Sequence, residues 1–93
     1  MRVKWLRSAL ANLDAEASYL SKDSPSASSI VSTIVTAVEH LSKYPAMGRP
    51  GRVTGTRELA VPGTPYIVPY RVRADVIEII RVFHGARKWP EQF

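Results

Sequence analysis

Residues 57–90 constrain the fold most, because they are typical of a β-meander that ends in a basic, aromatic tail. Apolar residues lie on both faces of residues 76–83, which predicts a central strand buried on both sides, or nearly so. Before it, apolar and polar residues alternate over residues 66–73, which predicts a strand with one solvated face. The polar break Arg73-Ala74-Asp75 predicts that these two strands form an antiparallel hairpin.

Two proline-containing features refine this meander. Pro69 has no backbone N–H, so we expect a bulge or an unpaired side of the strand around it. A shorter, earlier strand is predicted over residues 57–61. Its connection to the next strand, Pro62-Gly63-Thr64-Pro65, consists of turn-forming residues.

The chain begins with a short strand and a helix. Residues 2–5 place Val3 and Trp5 on one face and are expected to join the sheet. A helix is predicted over about residues 8–21, with Ser8 as its N-cap and Asp14 and Glu16 facing water. Its predicted apolar stripe consists of Leu6, Leu10, Leu13, Ala17 and Leu20.

A second helix is predicted from Ser24, as N-cap, and Pro25, in the first position, to about residue 43. Its β-branched residues alone favour a strand, but their helical period outweighs propensity differences of roughly tenths of a kcal/mol per residue. The predicted apolar face consists of Ile30, Val31, Ile34, Val35, Val38 and Leu41. The two helices should form an antiparallel hairpin on the sheet, and residues 44–55 should be an exposed, basic, irregular connection.

Length and composition bound the rest. The 93 residues predict a single domain, residues 1–93, and the absence of cysteine excludes disulfides and thiolate metal sites. We expect neither a signal peptide nor a membrane span, since no apolar run approaches about 18 residues. The net charge is +5, and residues 47–93 carry eight Lys/Arg against four Asp/Glu. This basic half indicates either an acidic partner, such as nucleic acid, the ribosome or an acidic protein, or an ordinary solvated surface.

Few residues are candidates for chemistry. His40 is predicted to be a surface histidine, and with one further histidine and no cysteine the chain has no conventional zinc site. The exception is the tail, where His84, Arg87, Lys88 and Trp89 follow the central strand. Arg57, Arg81 and Arg87 could bind a phosphodiester, with His84 as acid or base. The alternative is that Trp89 packs on the sheet edge and the charges are solvated.

The order of these features resembles the RelE/ParE family of type II toxin–antitoxin toxins over nearly the whole chain. The shared features are the first strand with Trp5, the helical hairpin, Tyr44-Pro45, Gly48-Arg49, Arg57-Glu58-Leu59, the Tyr66–Val72 strand and the ending HGARKWP at residues 84–90.

The resemblance implies a compact α+β fold, β-α-α-β-β-β, with a helical hairpin packed on a mainly antiparallel sheet. It implies a cytoplasmic protein without cofactor or metal. It also implies a cognate ParD-like antitoxin that wraps the toxin, and contact with operator DNA only indirectly, through that antitoxin.

The family divides by target, which leaves three hypotheses. The loop Gly48-Arg49-Pro50-Gly51-Arg52 and the tail look more like ParE, which would make the chain a non-enzymatic inhibitor of DNA gyrase with His84, Arg87, Lys88 and Trp89 binding the target. The alternative is a RelE-like, ribosome-dependent mRNA endoribonuclease that uses Arg57, Arg81, His84 and Arg87. In the third, the chain is a degenerate toxin that survives as a co-repressor with its antitoxin.

Overall fold

The computed structural model describes residues 1–23 and 27–86, with side chains described at residues 1–18 and 29–86. Two helices pack on a mixed, mostly antiparallel sheet, which confirms the expected α+β class. In chain order the elements are β1 (Arg2–Trp5), α1 (Arg7–Asp23), α2 (Ala27–His40), β2 (Arg49–Pro50), β3 (Arg57–Ala60), β4 (Tyr66–Arg73), β5 (Val76–Ile79) and β6 (Phe83–His84).

The sheet brings the first strand beside one of the last. Its strand order is β1-β5-β4-β3-β2, and β6 pairs with β4 beyond the end of β5. The β1–β5 pair is parallel and the other pairs are antiparallel. The predicted first strand and the predicted hairpin of β4 and β5 are therefore confirmed. The hairpin turns at Ala74 and Asp75, both of which have positive φ angles.

The prediction of one continuous strand over residues 76–83 is wrong. Tyr70 pairs with Ile79 and Tyr66 pairs with His84, so four steps along β4 correspond to five steps along its partner. This extra residue is a β-bulge opposite Pro69, whose carbonyl accepts a hydrogen bond from the Ile80 N–H (3.0 Å). In a strand, the N–H and the carbonyl of one residue point toward the same neighbouring strand. Proline has no N–H, so the bulge lies where Pro69 accepts a hydrogen bond but cannot donate one. The predicted bulge is thus confirmed.

The core lies between the helices and one face of the sheet. In β5, Ile77 and Ile79 are fully buried, whereas Val76 and Glu78 on the other face are half-buried. The buried apolar residues that form the core cluster are Ala9, Ile34, Val38, Leu41, Leu59, Val61, Tyr66, Val68, Tyr70, Ile77, Ile79 and Val82. The sheet therefore has a helix-facing face and an open face.

Helix α2 buries the predicted side. Ile34, Val38 and Leu41 are buried, and Ser32 and Thr33 opposite them are exposed. The helical period therefore decides the structure of this β-branched segment. The predicted cap Ser24 and the predicted first residue Pro25 lie outside the described residues.

Helix α1 buries its predicted side only in part, since Leu13 packs against the core. Leu10 is 50% exposed, whereas Ala9 is fully buried and Glu16 is only 5% exposed. Ser8 is not the N-cap, because the helix begins at Arg7 and its first carbonyl acceptor is Leu6. The buried side differs from the predicted stripe at Leu10, because polar residues of this helix have partners elsewhere in the chain.

The connection predicted to be irregular over residues 44–55 contains the two-residue strand β2, which pairs with β3. In the described part of the chain, no helix is long and apolar enough to span a membrane.

Candidate functional site

The predicted target-binding tail leaves the sheet at β6. His84 is half-buried, and its ring meets the ring of Tyr66 edge to face with centroids 5.7 Å apart. The Nδ1 atom of His84 accepts a hydrogen bond from the backbone N–H of Ala86 (3.2 Å), so the neutral ring carries its proton on Nε2. Arg87, Lys88 and Trp89 lie outside the described residues, and their role in target binding stays a prediction.

A buried polar contact supports the start of the tail. The hydroxyl of Tyr66 donates a hydrogen bond to Oε2 of Glu16 (3.0 Å), which joins α1 to the sheet directly beneath His84. The expectation that Glu16 faces water is therefore wrong. Gly85 follows His84 and donates its N–H to the Pro65 carbonyl (2.7 Å), which fixes the path of the chain as it leaves β6.

Arg57, a candidate phosphate ligand, holds a loop in this structure. Its guanidinium donates hydrogen bonds to the carbonyl oxygens of Gly48 (2.8 Å) and Ala46 (3.4 Å). Beside it, the hydroxyl of Tyr70 donates to the Pro45 carbonyl (2.7 Å) and accepts from the Gly48 N–H (2.9 Å). Burial raises the pKa of Tyr70, and the Gly48 hydrogen bond and the nearby Arg57 charge oppose that rise. Both side chains thus fix residues 45–48.

Two of the candidate ribonuclease residues, Arg57 and His84, lie far apart in the described part of the chain. Arg57 pairs with Tyr70 and His84 pairs with Tyr66, on opposite sides of β4. Four residues along a strand span about 13 Å, and two strand spacings add about 10 Å across the sheet. Arg81 follows β5 at the bulge, and its guanidinium donates to the Ile80 carbonyl (3.0 Å).

The basic loop after α2 is organised by a buried carboxylate. Glu58 is only 2% exposed and accepts hydrogen bonds from Arg49 Nη2 (3.1 Å) and from the Arg52 backbone N–H (2.8 Å). Both arginine side chains remain about half exposed, as predicted for this connection. The loop is therefore anchored at one end while its cations face solvent. Sequence reasoning missed Glu58, although a lone acid in a basic region was a usable signal.

A second cationic cluster lies on the open face of the sheet. Glu78 pairs with Arg71 (2.7 Å) and lies 3.9 Å from Arg73. The hydrogen bond from Arg71 holds the pKa of Glu78 below its usual value, and the charges of Arg73 and Lys4 lower it further. Period-two alternation places these cations on one face, so the sequence contained the signal that would have identified them.

An apolar groove runs between α2 and the β3–β4 connection. It has a volume of about 370 Å³, and its rim includes exposed His40, which confirms the prediction of a surface histidine. Beside it, Tyr44 is 63% exposed and Met47 is 46% exposed. Such side chains are candidates for burial by a partner. Within residues 1–23 and 27–86, no group of three or more His, Asp or Glu could hold a metal ion.

Comparison with known families gives one match over nearly the whole chain. Residues 3–89 match the family model described as the ParE toxin of type II toxin–antitoxin system, parDE. The Sinorhizobium fredii protein Y4kP is 47% identical over 91 residues, which cover 97% of this chain and 94% of that protein. Toxin RelE2 of Caulobacter vibrioides is 34% identical over 87 residues, which cover 92% of this chain and 97% of that toxin.

Two solved structures share the fold. One is from the chromosomal ParDE toxin–antitoxin system of P. aeruginosa, with a TM-score of 0.81, 35% identity, and coverage of 90% of this chain and 95% of that chain. The other is from the toxin–antitoxin complex RelBE2 of Mycobacterium tuberculosis, with a TM-score of 0.66, 27% identity, and coverage of 89% and 95%.

Proposed function

Because this chain belongs to the family of ParE toxins of type II toxin–antitoxin systems, we propose that it inhibits DNA gyrase by binding it in the cytoplasm. A cognate ParD-like antitoxin holds it inactive until the antitoxin is lost. The toxin needs no cofactor, and it reaches operator DNA indirectly, through the antitoxin.

The observation that carries this proposal is the separation of Arg57 from His84. They pair on opposite sides of β4 with residues four positions apart, and the Arg57 guanidinium donates to two loop carbonyls. A general acid or base must lie within hydrogen-bond reach of the reacting group that the cation stabilises. Arg57 and His84 are not such a pair, which favours inhibition by binding over RNA cleavage.

The tail provides the target-binding residues of this proposal, which are His84, Arg87, Lys88 and Trp89. A tryptophan beside cations is a typical interface anchor, since it buries a large apolar area while the charges steer encounter. We expect the double substitution Arg87→Ala/Trp89→Ala to abolish gyrase inhibition and leave antitoxin binding mostly intact. Antitoxin affinity is measured by titration calorimetry on the purified proteins. Loss of both activities together would show that the tail is structural.

The antitoxin is proposed to cover the apolar groove beside α2. Tyr44 and Met47 lie exposed next to this groove, and a segment that folds on binding can bury such side chains. Met47→Asp should weaken antitoxin binding and leave gyrase inhibition by free toxin unchanged. Ala11→Asp, at an exposed position of α1 away from the groove, adds the same single negative charge and is the control.

A ribosome-dependent endoribonuclease is the second candidate, favoured by the 34% identity to toxin RelE2. In that case Arg87 would have to complete a site with His84 and Arg81, because Arg57 lies too far along the sheet. A co-repressor without toxic activity is the third hypothesis.

One paired assay tests all three. Purified toxin is added to gyrase with relaxed plasmid and, in parallel, to translating ribosomes with a defined mRNA. Loss of supercoiling or trapped cleaved DNA, with intact mRNA, is the expected result. Cut mRNA with unaffected gyrase would overturn the proposal in favour of the ribonuclease. Inactivity in both assays, with operator binding of the antitoxin strengthened by toxin, would identify a co-repressor.

A further inference from the structure

Four cations on the open face of the sheet form a regular array, which we call the cationic face: Arg2, Lys4, Arg71 and Arg73. The pairing register places them in two rows that cross β1, β5 and β4. Arg2, Val76 and Arg73 form one row, and Lys4, Glu78 and Arg71 form the other. Residues paired across a sheet share a face, so all four side chains emerge on the side opposite the helices.

The spacing of this array suits a chain of phosphates. Two residues along a strand are about 6.7 Å apart, and two strand spacings separate the columns by about 10 Å. Duplex DNA carries roughly one negative charge per 3.4 Å along each strand. The cations are therefore far enough apart for each to meet a different phosphate of a duplex.

The charge on this face is incompletely neutralised. Glu78 is the carboxylate of the two rows, so four cations and one anion leave a net charge of +3. Glu78 engages Arg71 closely, whereas Arg73 remains 65% exposed and Lys4 is also exposed. Repulsion among like charges on a surface is relieved when a polyanion binds there.

The surroundings favour nucleic acid over a peptide. The two rows contain one apolar side chain, Val76, which is half-buried and offers little area for a peptide anchor. A polar groove of about 340 Å³ adjoins the array, lined by the turn at residues 53–56 and by residues 71–73. Three of the four cations are arginines, whose planar guanidinium matches phosphate oxygens in bidentate geometry.

We propose that the cationic face binds the phosphate backbone of duplex DNA, so that the toxin contacts DNA directly and not through its antitoxin alone. The role of this contact rests on the proposed function, because gyrase holds duplex DNA and a toxin bound to both would stay on the complex. The contact itself requires no gyrase. It uses the open face of the sheet, which leaves the groove beside α2 free.

Direct binding is tested with the free toxin and a short fluorescent duplex, by anisotropy over a series of salt concentrations. The test variant is Lys4→Gln/Arg73→Gln, which removes two exposed cations and spares the Arg71–Glu78 pair. Loss of two phosphate contacts should reduce the slope of log K against log salt by about 1.8. The matched control is Arg7→Gln/Lys43→Gln, which removes two exposed cations from the helical side and should leave the slope unchanged.

A variant that should bind the duplex more tightly tests whether loss of binding in the first variant is caused by misfolding. Glu78→Gln removes the anion of the array and should tighten duplex binding, an effect that damage to the fold would not produce. Far-UV circular dichroism and urea unfolding of each variant establish that the fold is retained.

Three results would overturn the inference: no duplex binding by wild-type toxin, an equal loss in the control variant, or equal affinity for poly-glutamate with the same sensitivity to Lys4→Gln/Arg73→Gln. The last result would assign the face to an acidic protein. Gyrase binding measured without DNA separates the two proposals, since Lys4→Gln/Arg73→Gln should not change it. If wild-type toxin binds the duplex but neither binds nor inhibits gyrase, the inference stands and the proposed function fails.

Discussion

Ala74 and Asp75 hold the β4–β5 hairpin in a backbone conformation that L-residues rarely adopt. Their φ angles are 47° and 63°, which are those of a two-residue turn that Asn-Gly fills best. Each L-residue in this region costs roughly 1–2 kcal/mol, less for asparagine and least for glycine. We therefore expect Ala74→Asn/Asp75→Gly to raise the free energy of unfolding by about 1 kcal/mol, measured by urea denaturation.

At Gly63 a glycine already occupies a position with positive φ, so replacing it tests the same argument in the opposite direction. Its φ angle is 76°, and a Cβ built there would meet no neighbour within 4 Å. Gly63→Ala should therefore destabilise by about 1 kcal/mol through backbone strain alone. If both changes shift stability in the same direction, the φ argument is wrong.

Tyr70 is the residue whose hydroxyl links the sheet to the loop at residues 45–48. Tyr70→Phe removes bonds to a buried Gly48 N–H and the Pro45 carbonyl, which should cost about 1–3 kcal/mol. Tyr44→Phe is the control, since Tyr44 is 63% exposed and such changes usually stay within about 0.5 kcal/mol.

Tyr70→Phe also tests how the stability of the fold depends on alkaline pH. Because the pKa of Tyr70 is raised in the folded protein above its usual 10.0, the unfolded chain loses that proton first as pH rises. Its contribution to stability is complete below pH 10 and declines above it. The stability difference between wild type and Tyr70→Phe should therefore narrow above pH 10. A difference that stays constant or widens there would contradict the raised pKa.

Among the helices and strands, the core face of α1 was predicted only in part, whereas that of α2 was predicted correctly. Helix α2 buries apolar side chains alone, so its period identifies its face. Helix α1 turns inward Ser8, Asn12 and Glu16, which are one turn apart. Ser8 donates to the Ile80 carbonyl (2.8 Å), and Asn12 accepts from the Val82 N–H (3.1 Å). These partners lie more than 60 residues away and in a bulge, where no local pattern indicates them.

Ser8 and Asn12 of α1 bond backbone groups of Ile80 and Val82 in the segment between β5 and β6, where strand pairing is interrupted. Val82 is only 2% exposed, so its N–H has no water to replace Asn12. Asn12→Ala should therefore cost about 1–3 kcal/mol, measured by urea unfolding. Asp14→Ala, at an exposed position of the same helix, should change stability by less than about 0.5 kcal/mol. Equal losses for the two variants would show that the contact between Asn12 and Val82 contributes nothing.

For the folded protein as a unit, the first strand and the meander were predictable in their order along the chain, because alternation and turn residues mark them. The short strand β2 and the gap between β5 and β6 were less predictable. Strand β2 is two residues long, and the gap depends on how Pro69 pairs. The site divides similarly. Arg57, Arg81 and His84 were recognisable as candidates by residue type, but their distances depend on strand register. Arg71, Arg73 and Lys4 come together because β1 pairs with β5, a contact between chain segments more than 70 residues apart.

That long-range pairing makes a prediction about cooperativity. β1 is an edge strand, yet Val3 and Trp5 pack on the core, and Leu6 donates its N–H to the Ile79 carbonyl (3.0 Å). Detaching β1 would expose one side of β5 and uncover fully buried Ile77 and Ile79. With a single core cluster in the described residues, we expect β1 to unfold together with the rest in an all-or-none transition.

Trp5 provides the probe, since the chain has two tryptophans and Trp89→Phe leaves Trp5 as the fluorophore. In that variant, urea transitions followed by Trp5 fluorescence and by far-UV circular dichroism should have the same midpoint and slope. Trp5→Phe, with Trp89 retained, is the companion variant, whose circular dichroism reports how much the indole of Trp5 contributes to stability. A fluorescence transition at lower urea would show that β1 detaches first. Half of the cationic face would then be lost before the rest of the fold, since Arg2 and Lys4 belong to that strand.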